Sequence, residues 1–266
     1  MSADFSSLGV APAEIEAIVR TCSRWSLRYF RSGPIDIDNK WSDGFDPVTA
    51  ADRLVERELR EQLAAAVGEL PVIGEEEGTT GDPTTGFAWI IDPIDGTRAF
   101  ISGQPQWGTL LGLLHDGAPF GGWMYLPVLD EFYWAVRDDS HHSLPTSESR
   151  STSGCTTIAG ATLACTHPTS MFHDHDAVLF DSLEASVRLS RFGGDCHNYG
   201  LLANGDIDLV VENQMQSYDI LPLVPIVEAA GGVVTDRNGN PPLEGGMIIA
   251  AGTAELHAAA LAHMNS

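Results

Sequence analysis

Two aspartates, Asp92 and Asp95, close the apolar run Trp89-Ile90-Ile91, with Pro93 and Ile94 between them and Gly96 and Thr97 after them. The run reads as the end of a buried strand, being bulky, β-branched and uncharged. Pro93 has no N–H to give a central ladder, so the chain is expected to turn there. The turn would leave both carboxylates at a strand end, close enough to share a cation. Gly96 and Thr97 would offer backbone N–H groups to a phosphate oxygen if a helix begins there. A lone pair of aspartates at this spacing is more simply a turn, one side chain capping a helix and the other solvated. Here Gly74-Glu75-Glu76-Glu77, just upstream at another expected strand end, adds more hard oxygen donors. Mg2+ favours such donors and keeps waters that a phosphate can replace.

The other chemistry-bearing side chains offer less. Cys22, Cys155, Cys165 and Cys196 have no metal-type spacing and read as free thiols. His173-Asp174-His175 has the look of a metal cluster, but it sits in an expected loop without further ligands and reads as polar side chains facing solvent. His197 receives no role. The net charge of −23 argues against nucleic acid and anionic membrane as partners. It suits a phosphate ester only if divalent cations carry the positive charge in the site, and it weakly favours a cationic substrate. No apolar run approaches the ~20 residues of a membrane helix. The N-terminus has no basic region followed by an apolar one, so a cytoplasmic protein is expected.

The elements that must position these groups fall into two kinds. Residues 12–30 form an amphipathic pattern, and Thr49-x-x-Asp52 opens a second helix with Ala51, Val55, Leu59 and Leu63 on one face. Pro71-Val72-Ile73 leads as a strand into Glu75, and 78–86 read as a flexible loop. Strands at 107–114, 120–125 and 131–136, with a hairpin at Asp116-Gly117, make a meander, so residues 1–140 are expected to be an α+β half with an antiparallel sheet. Residues 138–157 are polar and aperiodic, and the boundary is placed there. Residues 141–266 alternate: strands at 161–165, 187–192, 207–212, 233–234 and 247–251, helices at 175–187, 196–204, 220–230 and 254–263. That pattern predicts a layered α/β half. Asp219 would start the 220–230 helix, Pro222 fits its first turn, and Pro225 should kink it.

Gly74-Glu75-Glu76, Trp89 through Thr97, Asp46-Pro47-Val48-Thr49-Ala50-Ala51-Asp52, Tyr218-Asp219 and Glu228-Ala229-Ala230-Gly231-Gly232 together resemble the inositol monophosphatase family of magnesium-dependent phosphomonoesterases. The resemblance implies a layered α-β-α-β-α sandwich of the inositol monophosphatase / fructose-1,6-bisphosphatase type, a homodimer, and two to three Mg2+ ions. One ion would take Glu75, Asp92 and the Ile94 carbonyl; another would take Asp92, Asp95 and Asp219. Thr97, held by a hydrogen bond to Asp52, would orient the water that attacks phosphorus, and Gly96 and Thr97 N–H groups would hold the phosphate. Lys40 would lie near the metals. Glu212 would contact the alcohol. Asp195 stands where inositol-type members carry a small or hydroxylic residue. A buried negative charge there invites a cation on the substrate. Gly194-Asp195-x-x-x-Tyr199, Tyr218-Asp219, Thr166-His167-Pro168 and Thr97-Arg98-Ala99-Phe100 resemble the family's histidinol-phosphate phosphatases. L-histidinol phosphate, hydrolysed to L-histidinol in histidine biosynthesis, is therefore favoured. An inositol-1-phosphate or broad sugar-phosphate monophosphatase is the alternative, and a non-catalytic regulatory protein of the same fold ranks below both.

Overall fold

The computed structural model describes residues 4–33, 37–39, 47–137, 141–143 and 151–266. Lys40, Asp46 and half of the expected boundary at 138–157 lie outside them. Helix α1 (Pro12–Ser23) buries Ile15, Val19 and Cys22 and gives way to a 3-10 turn at Ser26–Arg28, so the expected 12–30 helix ends early. Strands β1 (Ile37–Asn39) and β2 (Pro47–Thr49) pair antiparallel. Helix α2 (Ala50–Val67) begins at Thr49, whose hydroxyl accepts from the Ala51 N–H while the Asp52 carboxylate reaches back to the Thr49 N–H. Two orphan donors are thus satisfied at once.

Strands β3 (Val72–Gly74), β4 (Gly78–Thr80) and β5 (Phe87–Asp95) precede the short helix α3 (Thr97–Ile101). Strands β6 (Gly108–His115), β7 (Ala118–Leu126), β8 (Glu131–Val136) and β9 (His141–Ser143) complete a seven-stranded sheet ordered β4-β3-β5-β6-β7-β8-β9. The meander is as expected, and left-handed Asp116 and Gly117 (φ 50° and 76°) make its tight β6–β7 turn. Three details differ. Strand β3 runs parallel to β5, so the sheet is mixed and not wholly antiparallel. Residues 78–80, expected as loop, pair with β3 as an edge strand. Strand β9 carries the first sheet past residue 140.

The rest of the chain is β10 (Thr162–Cys165), α4 (Pro168–Met171), α5 (Asp174–Glu184), β11 (Leu189–Phe192), α6 (His197–Ala203) and β12 (Leu209–Met215). Then come α7 (Ser217–Ile220), α8 (Leu223–Ala229), β13 (Val233–Asp236), β14 (Gly246–Ala251) and α9 (Ala254–His263). Their sheet is ordered β11-β10-β12-β14-β13. Helices α1 and α2 cover the outer face of the first sheet, over Trp89, Ile91 and Trp123. Helices α6 and α8 lie between the sheets, among Ile90, Met124, Tyr199, Leu223 and Ile248. Helices α5 and α9 cover the far face, over Leu209 and Ile249. These layers are the α-β-α-β-α sandwich. Strand β5 faces apolar layers on both sides, Ile90 inward and Trp89 and Ile91 outward, which is why its sequence shows no polar alternation.

The expected helix at 220–230 is broken. Pro222 has no N–H to continue α7, and α8 starts after it. Pro225 then falls in the first turn of α8, where the N–H would have no intrahelical partner, so no kink arises. The corner at Pro222 lies on the first sheet where Gly112 and Gly122 pair across β6 and β7. A Cβ at Gly122 would overlap the Pro222 carbonyl, so glycine lets this corner dock and brings Asp219 of α7 to β5.

Candidate active site

Strand β5 does not end at Asp92. Asp92 faces Leu110 and Asp95 faces Gly108, so one extra residue on β5 is absorbed in a bulge that takes in Pro93. The Thr109 hydroxyl donates to the Pro93 carbonyl at 2.8 Å, and the Ile94 N–H donates to Asp92 Oδ1 at 3.0 Å. The bulge aims Asp92 and Asp95 the same way. Asp219 meets them from α7, and one carboxylate oxygen of each lies within 4.8 Å of the others. Glu75 joins from the β3–β4 turn: its N–H donates to the Ile91 carbonyl at 3.2 Å, and its side chain hydrogen-bonds that of Asp92.

Little balances this concentration of charge. Burial, then the charges of Glu75, Asp95 and Asp219, push the Asp92 carboxyl well up. Burial raises Asp95 to about 7; Glu212 and Glu75 add to this, while the Cys196 N–H, donating to Asp95 Oδ2 at 2.6 Å, opposes it. Asp219 is driven up by burial and by Asp95 and Glu75, although its Oδ2 accepts the Gln216 N–H at 2.8 Å. The donors are hard oxygens, Asp92 buried and Glu75, Asp95 and Asp219 half-buried, and they repel one another; a divalent cation relieves that repulsion. The residues present fit Mg2+.

Gly96, with φ 85°, caps α3, and Thr97 is its first residue. Asp195 lies over Gly96: a Cβ built there would be 3.0 Å from the Asp195 Cβ and Cγ. Asp195 itself takes φ 47°, a costly backbone for a non-glycine residue. Helix α6 is capped by Cys196 with no side-chain cap bond, so Asp195 is not a helix cap. Burial, Asp95 and Glu212 raise its carboxyl well above the usual range, with Arg98 opposing.

Glu212 is held differently. Its Oε1 accepts the Thr166 N–H (2.9 Å) and hydroxyl (2.6 Å), and its Oε2 accepts the Tyr199 hydroxyl at 3.0 Å. Strand β12 runs past it to Met215 through a bulge, not ending at Glu212 as expected.

One expected contact is corrected. The Thr97 hydroxyl donates to the Ile94 carbonyl at 3.0 Å, and Asp52 Oδ2 accepts instead from the Thr49 N–H and hydroxyl at 2.9 and 2.6 Å. A first-turn hydroxyl reaches the carbonyl three residues back more readily than a neighbouring helix. Burial, partly offset by Thr49, raises Asp52 to about 6. Ala51 packs with Ala99 and Phe100, which brings the start of α2 against α3.

His173 and His175 are exposed, and His197 bonds Glu131 at 3.2 Å. Cys22 and Arg28 have the C-x5-R spacing of cysteine phosphatases, but Cys22 is buried in α1, its thiol pushed up to about 12, and Arg28 stacks over Trp25. That spacing marks no nucleophile here. Sequence reasoning missed the Cys196 N–H on Asp95 and the hold of Thr166 and Tyr199 on Glu212. The Gly194-Asp195-x-x-x-Tyr199 spacing and the Thr166-His167-Pro168 stretch carried the signal for them.

Two mixed sheets interleaved with three helical layers, and carboxylates gathered from both halves, define a sandwich of the inositol monophosphatase / fructose-1,6-bisphosphatase type. The profile of the Inositol monophosphatase family matches residues 11–266, and the chain belongs to that family of phosphatases. It is 34% identical to the bifunctional phosphatase IMPL2, chloroplastic, of Arabidopsis thaliana, over 88% of this chain and 69% of that one. It is 33% identical to the histidinol-phosphatase of Mycobacterium tuberculosis, over 90% and 93%. The solved structure of an inositol monophosphatase from Zymomonas mobilis is 36% identical and superposes with a TM-score of 0.82 over 100% of both chains. Among the described residues no helix is long and apolar enough to cross a membrane.

Proposed function

We propose that the protein is a Mg2+-dependent phosphomonoesterase that hydrolyses L-histidinol phosphate. The observation that carries the substrate choice is Asp195. It is a carboxylate set over Gly96 beside Asp95 and Glu212, with no helix to cap. Such a charge is costly unless a cation pairs it, and the ammonium or imidazolium of histidinol phosphate supplies one. The histidinol-phosphatase of M. tuberculosis, similar over most of both chains, supports the reading. The Zymomonas inositol monophosphatase keeps inositol-1-phosphate as the second reading.

In this account Asp92, Asp95, Asp219, Glu75 and the Ile94 carbonyl hold two to three Mg2+ ions. Bound Mg2+ would polarise the phosphoryl oxygens, lower the pKa of the attacking water and stabilise the leaving alkoxide. Gly96 and Thr97 N–H groups, at a helix start, hold the phosphate. The Thr97 hydroxyl orients the water. Thr166 and Tyr199 fix Glu212 so that it faces the alcohol in one orientation. Leu189 and Phe192, exposed on edge strand β11, offer apolar surface for a homodimer.

The test is hydrolysis of histidinol phosphate, inositol-1-phosphate and fructose-1,6-bisphosphate side by side with Mg2+. The reading expects the highest kcat/KM on histidinol phosphate. A preference for inositol-1-phosphate would transfer the assignment to the second reading.

A further inference from the structure

Glu56 lies one helical turn beyond Asp52 on α2 and has no solvent exposure. A buried carboxylate is costly unless paired and hydrogen-bonded, and this one is both. Its Oε1 accepts from Arg60 Nε at 2.9 Å and from the Glu77 N–H at 3.1 Å; its Oε2 accepts the Glu76 N–H at 2.7 Å. Arg60 also donates to the Gly78 carbonyl at 2.6 Å and to Thr80 Oγ1 at 3.4 Å. The pair grips the backbone of the β3–β4 turn. At the turn's entry, a Cβ on Gly74 would overlap the Glu56 and Arg60 side chains, so glycine is what lets them close in. Glu75 sits in this turn, tied on its other side to the Ile91 carbonyl.

We propose that Glu56 and Arg60 are positioning residues that hold the 75–78 turn so that the Glu75 carboxylate stays beside Asp92. The charges that meet Asp92 here are those of Glu75, Asp95 and Asp219. Mutual repulsion drives the turn outward when no cation is bound. Two N–H bonds to a buried carboxylate, and the Arg60 fork behind it, oppose that motion and leave the turn ordered before the ion arrives. The proposal rests on the assignment of Glu75 as a metal ligand, and its test separates the two.

Mg2+ is titrated calorimetrically into wild type, Glu75→Gln and Glu56→Gln, and amide exchange over 75–78 is followed in EDTA. Glu75→Gln should weaken Mg2+ binding by about 10- to 100-fold, and Glu56→Gln by about 10-fold, the scale for groups that orient a ligand. In Glu56→Gln, saturating Mg2+ should return kcat to within a few-fold of wild type, and the Glu76 and Glu77 amides should exchange faster without metal. If Glu56→Gln does not fold, Arg60→Lys, which keeps the charge and loses the fork, is read the same way. Weakened binding in Glu75→Gln with unchanged affinity and exchange in Glu56→Gln overturns the positioning role alone. Unchanged affinity in Glu75→Gln overturns the ligand assignment and the proposal with it.

Discussion

Glu56 and Asp92 are both buried carboxylates, 0% and 2% exposed, yet their surroundings are opposite. Around Glu56 the chain supplies a guanidinium and two backbone N–H groups. Around Asp92 it supplies one N–H, from Ile94, and three further carboxylates. Burial alone therefore does not mark the reactive site. Compensation does: where the protein means a charge to be structural it brings its own donors, and where it leaves charges to repel one another the missing partner comes from solution. Asp195 falls in the second group.

The sharpest way to break this contrast is to remove a compensated carboxylate. Glu56→Ala leaves the Arg60 guanidinium and the Glu76 and Glu77 N–H groups without their acceptor. It should cost about 3–5 kcal/mol of stability in urea unfolding, as breaking one side of a buried pair does. A loss under ~1 kcal/mol would place Glu56 with ordinary surface ion pairs. On the uncompensated side the effect should appear in catalysis. Asp92→Asn should lower turnover at least ~100-fold, and chelation should abolish activity that Mg2+ restores; full activity in excess EDTA would end the metal account.

Asp195 sharpens the contrast further. Asp195→Asn keeps size and removes charge, so kcat/KM for histidinol phosphate should fall by about 10-fold while neutral esters hold or gain. An unchanged ratio between the two substrate types would remove the reason for preferring a cationic one. The smallest effect concerns pH. Asp95, raised from 3.8 to about 7, keeps when folded a proton that the unfolded chain has released. Its contribution is full below about pH 4 and is lost as the pH climbs to about 7. In EDTA the melting temperature should fall across that window, and Asp95→Asn should flatten the fall. An identical slope in the mutant would remove Asp95 as its source.

Much of this was legible in the sequence because it depends on local pattern. The Thr49/Asp52 capping box, the Asp116-Gly117 hairpin and the Asp92/Asp95 pair are each set by a few adjacent residues. Errors arose where partners lie far along the chain. Pro93 reads as a strand stop, but the ladder to β6 continues around it in a bulge. Pro225 reads as a kink until Pro222, docked against distant Gly112 and Gly122, resets the helix start. Glu56 looks like any charged residue on an amphipathic helix. Asp52, Glu56 and Arg60 at four-residue spacing beside the apolar stripe were the available sign, and its meaning depends on the turn it meets.

The central claim, that the crowded carboxylates await cations, is tested most directly by melting wild type and Asp92→Asn in EDTA and again in saturating Mg2+. The account predicts that Asp92→Asn melts higher than wild type in EDTA at alkaline pH, where the raised Asp92 carboxyl has released its proton, because one repelling buried charge is gone. It predicts that Mg2+ raises wild type by far the larger increment, through binding to the folded state alone. A mutant that melts lower than wild type in EDTA and gains as much from Mg2+ would contradict it.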